Sequence, residues 1–408
     1  MNLTSTERAL LRDLAKQYAA VAADPVMNVR RAAWRRHNSL KSDRPLIYLR
    51  AFAWAELPES KCQIADPFWR RHENNLRRLL YWSSLQDDSI FEPWLTVPAV
   101  HACEGWGVDI NRHRSNEAGG SYKIDYAIRE PGDLAKLRMP HHVIDEQQTA
   151  EHYARAREIL GDVLTINLDR SPAYLRWTGE ISSELGNLRG IENLMLDMID
   201  NPEWLKSFVQ FLSDGILKAH DEAEQAGDWN LSAHENQCMP YAEELPDPAA
   251  NVNGVSRKQL WCHMASQEFT TVSPAMQAEF LLAYQKPIME KFGLVAYGCC
   301  EDLTRKIEIL RTIPNLRRIA VSPFANVASC AEQIGRDYVL SYRPSPTDMV
   351  GYGLDDERIR TILRRDLRAC RNCHTDITLK DVETVQCDPT RVRRWMTIAR
   401  EVIDEVYG

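Results

Sequence analysis

The feature that most constrains the fold is a repeated order of amphipathic helix, short apolar run and polar tip, which is clearest between residues 273 and 322. Ser273 and Pro274 begin a helix that stops at Gly293, and the apolar run 294–297 follows. A second helix then leads to the apolar run 318–321. Because parallel strands need a crossover connection, usually a helix, this order predicts βα units and an α/β fold.

Eight apolar runs carry this pattern and alternate with helices. They occupy residues 46–49, 174–177, 229–231, 260–263, 294–297, 318–321, 338–341 and 377–379. Eight such strands predict a closed (β/α)8 barrel, a TIM barrel. Helical periodicity with Ser5 as N-cap predicts an N-terminal helical segment over 1–42, and the barrel then covers 43–408. Prolines and glycines between about 91 and 145 indicate an irregular insertion over the barrel mouth.

Charge and hydropathy exclude two classes of function. The 408 residues carry a net charge of -8, whereas a nucleic-acid-binding protein needs a basic face or stripe. The chain begins with a polar, charged helix rather than an apolar signal region, and no apolar run reaches the roughly 20 residues of a membrane span. We therefore expect a cytoplasmic protein whose ten cysteines are mostly reduced.

Soft ligands follow one of the predicted strands. Cys299, Cys300 and Glu301 come directly after the run 294–297, and chemistry in barrel enzymes gathers at the carboxyl ends of strands. Sulfur and imidazole nitrogen are ligands that zinc prefers, so Cys299 and Cys300 with His263 form a predicted metal site. In the alternative, one cysteine packs inside the barrel and the other lines the pocket with Glu301.

Three side chains are candidates for acid-base catalysis, namely Glu268, Glu301 and His234. Glu268 follows the run 260–263, and a general acid at this point can protonate a leaving alkoxide. The alternative for Glu268 is a loop carboxylate that pairs with an arginine. His234 follows the run 229–231, where it can orient a substrate or simply cap the next loop.

The predicted substrate-binding residues are Arg343, Tyr297, Trp177 and His101. Arg343 lies between a strand and Pro344, where a guanidinium can bind a carboxylate or phosphate through two hydrogen bonds. An ion pair at the barrel rim is the alternative. The segment Cys370-Arg371-Asn372-Cys373-His374 matches the haem-attachment pattern, but this attachment goes with export, so we expect no haem.

Several motifs resemble the uroporphyrinogen decarboxylase superfamily over roughly residues 150 to 350. They are the runs Gly190-Ile191-Glu192-Asn193, Asp200-Asn201-Pro202-Glu203, Ser273-Pro274, Tyr284-Gln285-Lys286-Pro287-Ile288, and the strand tip from Tyr297 to Glu301. These TIM barrels include tetrapyrrole decarboxylases and corrinoid- and zinc-dependent methyltransferases. The chain lacks the decarboxylases' Pro-x-Trp-x-Met-Arg-Gln-Ala-Gly-Arg motif. It also has Tyr297-Gly298-Cys299 where the zinc enzymes have His-x-Cys.

The resemblance implies methyl transfer, a C1 reaction, between a small substrate and a corrinoid carried by a partner protein. Zinc and a homodimer are further expectations from the resemblance. No Asp-x-His-x-x-Gly motif occurs in the chain, so the corrinoid is expected on the partner. Two alternatives remain open. One is a lyase, a cofactor-free decarboxylase of a tetrapyrrole or smaller carboxylic acid, and the other is a non-catalytic ligand-binding barrel.

Overall fold

The computed structural model describes residues 3–103, 105–115, 121–175 and 178–408. Two helices open the chain, α1 (Ser5–Ala22) and α2 (Val26–Asn38), as the sequence predicts. The N-cap of α1 is Thr4 rather than Ser5, because the side chains of Thr4 and Glu7 form a reciprocal capping box. α1 packs on two later helices, α3 (Pro67–Ser83) and α4 (Glu146–Leu160).

The main sheet contains six parallel strands in the order β1-β10-β9-β8-β7-β6, and it curls into a half-barrel. In chain order, the strands are β1 (Leu46–Leu49), β2 (Trp94–Pro98), β3 (Asn111–Arg114), β4 (Tyr122–Asp125), β5 (Thr165–Asp169), β6 (Trp261–Met264), β7 (Leu294–Tyr297), β8 (Leu316–Val321), β9 (Val339–Tyr342) and β10 (His374–Leu379). Six of the eight predicted strands are therefore confirmed. Within the described residues β2 and β5 pair only with each other, so closure into a barrel is not observed.

Helices connect the strands of the main sheet. The remaining ones are α5 (Ser182–Leu188), α6 (Ile191–Asp200), α7 (Pro202–Ala226), α8 (Pro274–Gln277), α9 (Ala283–Met289), α10 (Ile307–Leu310), α11 (Val327–Ile334), α12 (Asp356–Ala369) and α13 (Thr390–Tyr407). A π-helical turn, Ala278–Leu282, joins α8 to α9. No helix in the described ranges combines the length and apolar character needed to cross a membrane.

Two predicted strands are not observed in the described part of the chain. Residues 229–231 make a single antiparallel bridge, from Asn230 to Asn253. Their apolar character comes from packing, because the ring of Trp229 is fully buried against His220 of α7 and Phe292. In the run 174–177, Tyr174 and Leu175 lie in a loop, and residues 176–177 are outside the described residues.

The predicted irregular insertion contains more regular structure than expected. It includes β2, which pairs in parallel with β5, and an antiparallel hairpin of β3 and β4. Only alternate residues of β2 are buried, namely Leu95 and Val97. This period of two, between Pro93 and Pro98, differs from the continuous apolar runs that identify the other strands.

A charged network is buried within the main sheet. Asp376 of β10 lies 2.9 Å from the Nη2 atom of Arg318 and 3.1 Å from Nε2 of His37, and it also accepts a hydrogen bond from Ser341. Burial alone would raise the pKa of Asp376, but the Arg318 charge and the His37 hydrogen bond lower it to about 2. The network ties α2 to β8, β9 and β10.

Candidate active site

The carboxyl ends of β6, β7, β9 and β10 share one edge of the sheet because these strands are parallel. The segments that follow them carry Ser266, Cys299, Arg343 and Lys380, respectively. Direct contacts between these segments make this edge the candidate active site.

Cys299, Cys300 and Lys380 form a compact group that we call the thiol–lysine cluster. The two sulfur atoms lie 3.7 Å apart. The Lys380 ammonium donates to both, at 2.9 Å from Cys300 Sγ and 3.4 Å from Cys299 Sγ. It also contacts the carboxylate of Asp381, and Cys300 Sγ lies 3.5 Å from the same carboxylate. Cys299 is buried and Cys300 is half-buried, so the cluster is reached from the side of Cys300.

The cluster favours one thiolate. The hydrogen bond from Cys300, together with the charges of Arg343 and Lys380, lowers the pKa of Cys299 to about 6. The pKa of Cys300 is raised because it donates to Cys299 and is partly desolvated. The pair therefore holds one proton and one negative charge near neutral pH. A thiolate is the nucleophilic form of cysteine.

Glu301 joins the ends of β6 and β7. One carboxylate oxygen accepts hydrogen bonds from Ser266 N at 2.8 Å and Ser266 Oγ at 3.2 Å. The other accepts from Cys299 N at 2.7 Å. These contacts use both oxygens of the predicted catalytic Glu301 within the protein, so the residue fixes the position of Cys299.

Gly298 allows the chain to turn sharply into the cluster. Its φ of +100° is disfavoured for residues with a side chain. A Cβ at this position would also lie 2.6 Å from Leu303 Cδ1 and 3.0 Å from Ala320 Cβ. Glycine at position 298 is thus required by both backbone conformation and packing.

Glu268 lies beyond β6 and contacts α5. Its carboxyl group accepts a hydrogen bond from Ser182 Oγ, and burial raises its pKa. A second carboxyl group, that of Glu180, is fully buried nearby, and the charge of Glu268 acts on it. Glu268 is therefore placed among acidic groups rather than in the ion pair with arginine considered from the sequence.

Arg343 connects the cluster to a groove. Its Nη1 atom donates to the carbonyl oxygen of Cys299 at 2.7 Å, and its side chain is buried. The groove has a volume of about 430 Å³ and lies between the ends of β8 and β9 and helix α12. Arg358 and Arg365 also line it, together with Asp348. The groove is therefore polar and mixed in charge.

The predicted zinc ligands are not assembled. Among the described residues, no group of three or more His, Cys, Asp or Glu side chains is arranged to hold a metal ion. His263 lies within β6, where its Nε2 is 2.7 Å from Gln237 Nε2. Lys380 supplies the positive charge beside Cys299 and Cys300 instead. The described residues therefore offer two sulfurs beside an ammonium group, rather than the three or four protein ligands that zinc takes.

The structure places His234 away from the cluster and buries the side chain of Tyr297. The Nδ1 atom of His234 accepts a hydrogen bond from Trp261 N, at the amino end of β6 and so at the opposite edge of the sheet. The predicted position of His234 at the carboxyl edge depends on a strand over residues 229–231, and these residues do not form one. Tyr297 is buried and donates to Gln285 at 2.8 Å.

His101 belongs to a separate group. It forms a bridge with Ile144, and its ring lies 5.6 Å from that of His142. Trp177, the remaining predicted substrate-binding residue, lies outside the described residues.

The segment that matches the haem-attachment pattern packs within the protein. Cys370 and Cys373 are buried, and His374 Nδ1 is 2.6 Å from the carbonyl oxygen of Ser42.

Sequence reasoning missed Lys380 and Glu180. Lys380 directly follows the last strand, so the rule that identified Cys299 also identifies Lys380 when it is applied to β10. Glu180 follows no strand and carries no motif. Its proximity to Glu268 depends on the fold of the loop before α5.

Comparisons with known proteins identify a fold but not a family. No protein-family model matches the chain, and no curated protein matches its sequence. The solved structures that match include a methyltransferase from Methanosarcina mazei, at a TM-score of 0.52 and 12% sequence identity. The match covers 93% of this chain and 99% of that one. The chain therefore shares the overall fold of that methyltransferase.

Proposed function

We propose that this protein is an enzyme that transfers a methyl group to or from a small substrate at the carboxyl edge of its sheet. The observation that carries the proposal is the thiol–lysine cluster, a sulfur nucleophile held by Lys380 at the strand ends. The fold shared with a methyltransferase supports the same reaction class.

The proposed reaction is a displacement at the methyl carbon of a methoxy or methylamine substrate. The thiolate of the cysteine pair attacks the carbon, so that a sulfur–carbon bond forms and the bond from carbon to oxygen or nitrogen breaks. The leaving atom takes a proton from the carboxyl group of Glu268, which acts as the general acid. The products are a methylated cysteine, a neutral alcohol or amine, and an ionised carboxylate, so atoms and charge balance.

Other groups of the cluster have supporting roles in this proposal. Lys380 keeps the sulfur ionised, and Glu301 holds Cys299 through its backbone N–H. Arg343 is proposed to bind an anionic part of the substrate at the groove. As the resemblance implies, we propose a corrinoid on a partner protein as the other methyl carrier. Transfer from the cysteine to that carrier would break the sulfur–carbon bond and release the sulfur as the thiolate, and no residue of this chain is assigned to hold the corrinoid.

Decarboxylation is less well supported. A tetrapyrrole carries several carboxylates and needs several cations to bind them. Of the cations at the groove and the cluster, Arg358 pairs with Asp348, Arg365 pairs with Asp366, and Lys380 contacts two thiols and Asp381, which leaves Arg343 to bind an anionic group. A non-catalytic barrel would also have side chains that pair with one another. The decisive experiment therefore measures reaction rather than binding.

The test is incubation of the purified chain with methylcobalamin, methoxybenzoates and methylamines, followed by mass spectrometry of cysteine-containing peptides. We expect methylation of the peptide that contains Cys299 and Cys300, and its loss when both are replaced by serine. Cys387→Ser is the matched control, since Cys387 is an exposed thiol outside the cluster. Absence of methylation with every donor, or equal methylation of Cys387, would refute the proposal.

A further inference from the structure

We propose that Glu180 and Glu268 form a carboxyl pair that holds one proton at neutral pH, with Glu180 as the positioning residue that retains this proton beside Glu268. The inference deepens the proposed function and rests on it for its catalytic use. The protonation itself is measurable without turnover.

A short turn before α5 serves both carboxyl groups. The N–H of Ser183 donates to Glu180 Oε1 at 2.7 Å, and Ser182 Oγ donates to Glu268. Ile181, which lies between Glu180 and Ser182 in the chain, has φ 63° and ψ -50°. Positive φ is unusual for a β-branched residue, and such strained conformations gather at functional sites. Complete burial of Ile181 holds the turn in place.

The turn is also tied to the end of β6. Gln285 Nε2 donates to the carbonyl oxygen of Glu180 at 2.9 Å and to that of Ala265 at 2.8 Å. On the other side, Gly186 of α5 allows Glu268 to approach closely, since a Cβ there would lie 2.9 Å from Glu268 Cγ. The two carboxyl groups are thus brought together by α5 and by the segment after β6.

The surroundings of Glu180 disfavour a second negative charge. Glu180 is fully buried, and its Oε2 atom has no hydrogen-bond partner among the residues that the structure describes. Besides burial, the negative charges of Glu268, which follows β6, and Glu301, which follows β7, both raise its pKa. The buried hydroxyl of Tyr297 in β7 interacts with the charges of Glu301 and Glu180 as well. Burial first, and then the charge of Glu268, raise the pKa of Glu180 well above its ordinary value.

This arrangement gives the pair a chemical use. Glu268 is half-buried whereas Glu180 is sealed from solvent, so Glu268 is the member that faces the substrate. The one proton of the pair passes from Glu180 to Glu268 as Glu268 protonates the leaving atom, so both carboxyl groups are ionised immediately after the reaction. The pair regains the lost proton from solvent through Glu268.

Infrared titration of the full chain tests the inference. A protonated carboxyl group has its own C=O stretching band, which we expect to persist above neutral pH in the wild type. Glu180→Gln should abolish the band, whereas Glu268→Gln should keep it but move its loss to lower pH, because the charge of Glu268 is gone. Glu184→Gln is the control, since burial raises the pKa of Glu184 to about 7 and gives it a band of its own.

A Glu180→Gln protein that titrates like the wild type would overturn the inference. If that variant does not fold, Ser182→Ala is the second test. Loss of the hydrogen bond to Glu268 should raise the proton affinity of the pair by about tenfold, and an unchanged titration would refute it. Failure of methyl transfer with an intact infrared result would overturn only the proposed function.

Discussion

Replacement of Lys380 by methionine is expected to raise the pKa of the reactive thiol by about one to two units. The Lys380 ammonium donates to both sulfur atoms at 2.9 and 3.4 Å, and the residue is only 4% exposed, so water screens its charge weakly. A hydrogen bond to a charged group contributes about 1.5–3 kcal/mol, and about 1.4 kcal/mol corresponds to one pKa unit. The thiol pKa of about 6 in Cys299 should therefore move to about 7–8. Repulsion from the released Asp381 carboxylate acts in the same direction.

The assay is the pH dependence of alkylation by iodoacetamide, followed by mass spectrometry of the peptide that carries Cys299 and Cys300. At pH 7 the variant should react about two- to tenfold more slowly than the wild type, because less of its thiol is ionised. Lys291→Met is the matched control, since Lys291 is exposed and precedes β7, at the edge of the sheet opposite the cluster. An alkylation midpoint that is the same in the wild type and in Lys380→Met would refute the claim that Lys380 stabilises the thiolate.

Two further predictions concern stability. Asp376→Asn should lower the free energy of unfolding by about 3–5 kcal/mol in urea denaturation, because it leaves Arg318 buried without its carboxylate. In the wild type this contribution should be present above pH about 4 and lost as pH falls toward 2, since the pKa of Asp376 is depressed in the folded state to about 2. Gly298→Ala should cost about 1–3 kcal/mol through strain and overlap and should slow thiol alkylation. Gly132→Ala, where a Cβ meets open space, should change stability by less than about 0.5 kcal/mol.

The sequence predicts the main sheet well because its strands are buried on both faces. All four residues of β7 are buried, which produces the continuous apolar run of a parallel strand. The same signal is ambiguous at residues 229–231, where Trp229 is buried against α7 without strand pairing. Conversely, β2 was missed since only one of its faces is buried. The hydrophobic pattern of a sequence therefore indicates which residues are buried, and it indicates strand pairing only indirectly.

The candidate site was predictable where it depends on strand ends. Cys299, Glu301 and Arg343 converge because they follow parallel strands of one sheet. The identity of the positive charge at the cysteines was not predictable, since a pair of thiols in a polar sequence is compatible with a metal or with an ammonium group. Lys380 lies about 80 residues further along the chain, and only the pairing of β10 in the sheet brings it to the cluster.

The proposed reaction needs a cysteine that is ionised and a carboxyl group that is neutral at the same pH, which reverses their ordinary order of acidity. The structure supplies opposite environments for the two. Lys380 and Arg343 lie beside Cys299, and their charges contribute to its pKa of about 6. Glu268 and Glu180 instead have burial and acidic neighbours, which raise the pKa of both carboxyl groups. Because Glu301 binds the segments after both β6 and β7, it fixes the distance between these environments, so the separation of nucleophile and acid follows from the sheet itself.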